Sequence, residues 1–273
     1  MPEGDTIYRT AVVLRQALVG RQLVAFDAPR LTGVHPTIGS LIEDVTSRGK
    51  HLEVHFDDGL VLHTHMFMTG SWHVYRPGER WRKHPSKLRA AIEVPDWLAV
   101  CFSAPVVETF RRADPRRHAS TGSLGPDLCR AGANLAEAVA RMSRYGTAET
   151  SIAEVLLDQR VAAGIGNVYK SEVLWACGLD PFTPLADVPV AVRAQLIETA
   201  ATMLRANLHG GARITSLDTP GGLAVYGRDS KPCVRCRTPI ERERHGDQAR
   251  VTFWCPGCQL EPETFAMADD WAN

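Results

Sequence analysis

Four cysteines near the C-terminal end constrain this chain more than any other feature: Cys233-x2-Cys236, eighteen intervening residues, then Cys255-x2-Cys258. Two such knuckles gather four soft thiolates around one tetrahedral ion, and Zn²⁺ is the usual occupant. No histidine stands at ligand spacing between them, and a closed four-cysteine set leaves no position for water. One structural zinc that takes no part in chemistry is therefore expected. The alternative, two disulfides, finds no other sign of an oxidising compartment. Cys101, Cys129 and Cys177 are scattered in apolar surroundings and read as buried thiols of a reducing cytoplasm.

The ribbon that these cysteines define is charged. From Arg228 to Arg250 seven basic residues stand against four acids, a local excess of three on a chain of zero formal net charge. That balance argues against a protein that merely coats nucleic acid, and it permits one charged channel on a neutral exterior. No apolar run approaches the ~20 residues that span a bilayer. The opening MPEGD is polar and acidic, unlike a secretory leader. No membrane partner is expected. With 273 residues, 44% of them apolar, the chain can bury one large core or two smaller ones.

Apolar spacing predicts a helix over Thr6–Leu18, with Asp5 and Thr6 as capping residues and Gly20 as its stop. From Leu23 to Phe102 the pattern is β. Leu52–Phe56 alternates, Asp57-Asp58-Gly59 turns, and Leu60–His65 pairs back, with further strands at Ser71–Tyr75, Ala90–Val94 and Leu98–Phe102. Short strands with turn signals suggest a sandwich or barrel with the first helix packed at one end. After Leu124 the period changes, and helices are predicted over Leu135–Met142, Ile152–Leu157, Val168–Cys177 and Val190–Asn207. The expected organisation is α+β and multidomain. Residues 1–125 form a β-sandwich domain, 130–222 a helical domain, 223–260 the zinc ribbon, and 261–273 an acidic, disordered tail.

Four segments carry a family resemblance. Met1-Pro-Glu-Gly-Asp-Thr6 resembles the start of the formamidopyrimidine-DNA glycosylase and endonuclease VIII (Fpg/Nei) family. Ser47-Arg-Gly-Lys-His-Leu52 looks like its lysine hairpin, Asp158–Glu172 like its helix-two-turns-helix, and Val225–Cys233 like the lead into its zinc finger. The resemblance runs from Pro2 to Gln259 and implies a bifunctional enzyme that expels a base from DNA and then cleaves the abasic site. Once the initiator Met is removed, Pro2 would offer a secondary amine, less basic than a lysine, that attacks C1′ and forms a Schiff base. Glu3 would protonate the sugar ring oxygen, and Lys50 would hold a phosphate and assist the departing base.

The same resemblance implies DNA contacts. Asn167 follows Gly164-Ile-Gly166 and is suited to cap the helix that starts there, where exposed N–H groups and the helix dipole favour a phosphate. Arg250 matches the finger arginine and His65 a phosphate contact. Met68, in the apolar triplet Met66–Met68, takes the place of the wedge that fills the gap left by an extruded base. Asp114-Pro-Arg-Arg117 resembles the purine branch's opposite-strand loop, but it lies in the wrong place and continues into His118-Ala119, so it reads as a linker. Without that loop, oxidised pyrimidines are the expected substrates. The alternatives are an oxidised-purine glycosylase of the same family and a catalytically silent damage-binding protein; Pro2 and Glu3 argue against the silent reading. The expected partner is damaged DNA, bound by a monomer that needs no small-molecule cofactor.

Overall fold

The structure is a computed structural model that describes residues 2–113, 123–246 and 249–260. Asp114–Arg117 and the 261–273 segment lie outside the described residues. The chain divides into two compact units, residues 1–123 and 124–273.

In the first unit, α1 (Gly4–Leu18) is followed by eight strands: β1 (Ala25–Asp27), β2 (Ile42–Arg48), β3 (His51–Phe56), β4 (Leu60–His65), β5 (Ser71–Tyr75), β6 (Leu88–Val94), β7 (Trp97–Phe102) and β8 (Val106–Arg111). They form two antiparallel four-stranded sheets, in the orders β1-β6-β7-β5 and β2-β3-β4-β8. The alternation read from the sequence decides what each sheet buries. Leu52, Val54, Phe56, Leu60 and Leu62 from one sheet share a core with Trp72, Ala90, Ile92, Ala99 and Cys101 from the other. Ile7, Ala11, Leu14 and Leu18 of α1 complete that core. This is a β-sandwich with a helix packed on it.

Helix α1 starts two residues before the expected Thr6, and Glu3, not Asp5 or Thr6, is its N-cap residue. The reason is that Asp5 is more stable inside the first turn. It is fully buried there, near the positive end of the helix, and pairs with Arg9 one turn on at 3.6 Å.

In the second unit, α2 (Leu135–Tyr145), α3 (Ile152–Leu157), α4 (Asn167–Ala176) and α5 (Val190–Ala206) pack together, with β9 (Glu241–His245) and β10 (Arg250–Trp254) as a hairpin against α4. Asn134 and Ser151 cap α2 and α3 by accepting from the N–H groups of Glu137 and Glu154. Asn167 does not cap α4. Gly166 is the N-cap residue and Asn167 is the first helical residue, because its side chain is committed elsewhere.

Candidate active site and nucleic-acid interface

Glu3 enters α1 with an extended backbone (φ −127°), and its carbonyl accepts from the Ile7 N–H at 3.0 Å. Its side chain is fully buried beside the helix N-terminus. Pro2, half-buried, is the residue before it. A proline nitrogen and a carboxylate therefore stand on adjacent residues, the second fixed by a helix start.

Lys50 occupies a two-residue hairpin between β2 and β3, with Arg48 and His51 paired on either side. Gly49 takes φ 57°, the left-handed value that the first residue of such a turn requires. The turn projects Lys50 at the end of the sheet that β4 also reaches, because His51 pairs with His65 in the β3–β4 register. Lys50 and His65 are thereby neighbours: burial, then the adjacent His63 and the Lys50 cation, push the His65 imidazole down to about 4. His65 accepts the Phe67 N–H at Nδ1 (3.1 Å), so the neutral ring carries its hydrogen on Nε2, as a donor.

The turn after β4 separates the apolar triplet. Met66 is buried in the core, and Gly70 returns its N–H to the Met66 carbonyl at 2.8 Å. A Cβ on residue 70 would lie 2.7 Å from Met66 Cα, so only glycine closes this turn. Phe67, at φ 47°, sets its ring 4.2 Å from that of His65, tilted by 56°. Met68 stands at the tip, 62% exposed. An exposed thioether on a tight turn costs hydrophobic surface and suits insertion between bases.

Sequence reasoning missed three residues on the face of this sheet turned away from the sandwich core. His51 Nδ1 lies 2.9 Å from His63 Nε2, and His63 Nδ1 lies 2.9 Å from Glu108 Oε1. The signal was present: the Asp57-Asp58-Gly59 turn sets the β3–β4 register, which places His51, His63 and His65 on one face.

In the second unit the Asn167 amide donates to the Val251 carbonyl at 2.7 Å, and its oxygen accepts from Lys170 Nζ at 2.9 Å. Lys170, 1% exposed, also donates to Thr252 Oγ1 at 2.8 Å. The start of α4 is thus bound to β10 directly beside Arg250. At this same turn end of the hairpin His245, the cross-strand partner of Arg250, places its Nε2 2.8 Å from Ser151 Oγ. Arg250 lines a cleft of about 500 Å³ together with Tyr145, Glu154, Asp158, Arg160 and His245.

The sulfurs of Cys233, Cys236, Cys255 and Cys258 all lie within 4.8 Å of one another, the only such metal-ligating cluster among the described residues. None is in a disulfide. Four thiols in mutual contact fit a tetrahedral zinc, held by those four residues, and Arg235 N–H donates to Cys233 Sγ at 3.4 Å as a supporting bond. The zinc is structural: with all four positions filled by cysteine it joins β10 to the preceding knuckle. No helix is long and apolar enough to cross a membrane among the described residues.

Three family domains match in order: the formamidopyrimidine-DNA glycosylase N-terminal domain over residues 1–120, its H2TH domain over 124–218, and the zinc finger found in FPG and IleRS over 230–260. The chain belongs to the formamidopyrimidine-DNA glycosylase and endonuclease 8 family of DNA glycosylases and abasic-site lyases. It is 40% identical to the probable endonuclease 8 2 of Streptomyces coelicolor, covering 96% of this chain and 95% of that protein. It is 36% identical to the DNA-(apurinic or apyrimidinic site) lyase Nei2 of Mycolicibacterium smegmatis, over 95% and 99% of the two chains. Lactococcus lactis Fpg, solved with DNA containing an oxidised pyrimidine, shares the fold with a TM-score of 0.81 at 21% identity, over 95% of this chain and 100% of that one.

Proposed function

We propose that this chain excises oxidised pyrimidines from damaged DNA and then opens the abasic site through a Schiff base on Pro2. The observation that carries the reading is the buried Glu3 carboxylate, fixed at a helix start next to a half-buried proline. The lone pair of a freed Pro2 nitrogen attacks C1′, and the glycosidic C1′–N bond breaks as the base leaves with the proton that the Pro2 N–H gives up. Glu3 gives its proton to the ring oxygen as the C1′–O bond opens, leaving an iminium between Pro2 and the sugar. The iminium draws electrons from C2′, whose proton is lost as the 3′ phosphate departs; loss of the 5′ phosphate follows by the same logic. In the first unit Lys50 and the His65 Nε2–H are phosphate contacts; in the second, independently, the start of α4 near Asn167 and Arg250 are phosphate contacts.

Borohydride tests the nucleophile, because reduction turns an iminium into a stable amine. Abasic-site DNA should yield a covalent adduct with the native protein and none when a tag blocks Pro2. An undiminished adduct from the blocked protein would move the role to a lysine. For the substrate, thymine glycol and dihydrouracil lose aromatic stacking and cost less to extrude. They should be excised faster than 8-oxoguanine opposite cytosine, and the reverse order would overturn the pyrimidine assignment.

A further inference from the structure

The face of the β2-β3-β4-β8 sheet turned away from the sandwich core carries three linked polar groups, Glu108, His63 and His51, that the reaction above does not use. Glu108 on β8 meets His63 on β4 at 2.9 Å, His63 meets His51 on β3 at 2.9 Å, and the His51 ring lies 4.8 Å from that of His65, nearly edge-on. The line ends at His65 and at the hairpin, since His51 directly follows Lys50 in the chain. His51 is 6% exposed and His63 1%, whereas the Glu108 side chain is 35% exposed. Apolar side chains would fill positions 51 and 63 of a buried strand pair at lower cost, because each imidazole must be desolvated and partnered. Something other than packing is being held in place.

We propose that His51, His63 and Glu108 are positioning residues, a hydrogen-bonded relay that fixes the Lys50 hairpin and the His65 donor for the DNA phosphate. The inference rests on the phosphate roles given above to Lys50 and His65. With both rings neutral the proton pattern is unique. His63 donates from Nδ1 to the Glu108 carboxylate, which leaves Nε2 as an acceptor for the Nδ1–H of His51. One carboxylate at the rim thus sets the tautomer of two buried rings. The second of these is anchored to the residue bearing the ammonium. His51 is bonded directly to Lys50 through the backbone, so this anchor limits how far Lys50 can stray.

The charged surroundings agree with that geometry. His51 faces Arg48 and Lys50 of the hairpin, Glu53 on its own strand, and His63 and His65 on β4. Burial first, then the His63 and His65 rings, hold His51 down at about 3, against the opposing pull of Glu53. His51 and His65 therefore stay neutral at physiological pH, and neither ring competes with Lys50 as a cation.

Glu108→Ala, Glu108→Gln and His63→Leu in the full chain test this. The readouts are the single-turnover lyase rate on a preformed abasic duplex, the affinity for a duplex with an uncleavable abasic analogue, and histidine ¹⁵N–¹H spectra. Glu108→Ala and His63→Leu should slow the lyase step by ~10-fold or more at a temperature where the fold is intact, the scale of loss expected for a small misplacement of a catalytic group. Glu108→Gln still offers an oxygen to the His63 Nδ1–H and should recover the rate to within about threefold. The spectra should show the Nδ1–H tautomer of His63 in the native and Gln proteins and its loss in the Ala protein. His63→Leu is the harsher change; if it unfolds, Glu108→Ala at the rim decides. Native lyase rate and affinity in Glu108→Ala, or equal losses in the Ala and Gln variants, overturn the relay. Failure of the native protein to trap with borohydride overturns Pro2 instead, and the affinity and spectra still report on the relay.

Discussion

Replacing Glu172 by glutamine should uncouple the zinc ribbon from the helical unit, and the structure sets the size of the effect. The fully buried Glu172 side chain on α4 accepts from the N–H groups of Ala224 (2.7 Å), Val225 (2.9 Å) and Tyr226 (2.8 Å), and from Thr215 Oγ1. Glutamine keeps the volume but has one acceptor oxygen. Set toward Val225 and Tyr226, that oxygen leaves an NH₂ facing the Ala224 N–H. The Thr215 hydroxyl can turn and accept; the amide of Ala224 cannot. One orphaned buried donor costs about 1–3 kcal/mol, and the two retained bonds each lose about 1 kcal/mol as they become neutral. The sum is about 3–5 kcal/mol, a fall in Tm on the order of 10 °C for a unit of this size. Because Ala224 and Val225 pack with Trp175, Cys233 and Cys255 in one cluster, the ribbon should loosen with them. Thermal unfolding, zinc release to a chromogenic chelator and DNA affinity, measured together, check this. A variant destabilised by less than about 1 kcal/mol would refute the accounting.

Stripping the zinc, or Cys236→Ser, should unfold the ribbon and abolish DNA binding while the β-sandwich keeps its own unfolding transition, read by near-ultraviolet ellipticity and gel shift. Met68→Ala should reduce excision from duplex DNA about tenfold, and less from single strands, since only the duplex needs its unstacked gap filled; equal losses on both would return Met68 to a packing role. His51 and His65 are both held well below 6.5, so as pH falls through that value the unfolded chain takes up protons first. Their contribution is complete above about 6.5 and is lost toward about 4, by at most about 1.4 kcal/mol per pH unit for each ring. Urea midpoints from pH 7 to 4.5 should fall accordingly, and less steeply in His51→Gln.

Periodicity and knuckle spacing made much of the fold legible. The predicted strands at Leu52–Phe56, Leu60–His65 and Ser71–Tyr75 and the helix at Ile152–Leu157 match the structure to within a residue. In the first unit the sequence reading does not single out β1, β2 or β8, because three to seven residues of mixed polarity carry little alternation and gain their order from pairing with β6, β3 and β4. Caps were read less well. Asp5 and Asn167 have the chemistry of N-cap residues, yet tertiary partners, Arg9 for one and Val251 and Lys170 for the other, use their side chains instead. A local preference worth about 1 kcal/mol yields to a buried charge-assisted bond.

The candidate site is legible where it follows one contiguous motif and hidden where it depends on pairing. Pro2, Glu3 and Lys50 stand in short runs that can be quoted from the chain. His63 and Glu108 are 45 residues apart and meet only because β4 pairs with β8. The same holds in the second unit, where Lys170 reaches Thr252, 82 residues on, and Glu172 reaches the 224–226 backbone. In each case a buried polar group on a rigid element holds a short segment that carries a proposed phosphate contact or leads into the ribbon. Burying such groups is costly unless every donor and acceptor is matched. Their cost is justified where a catalytic or binding group must be held to within a fraction of an ångström. The buried polar contacts, more than the apolar core, therefore mark which segments of this fold are built for function.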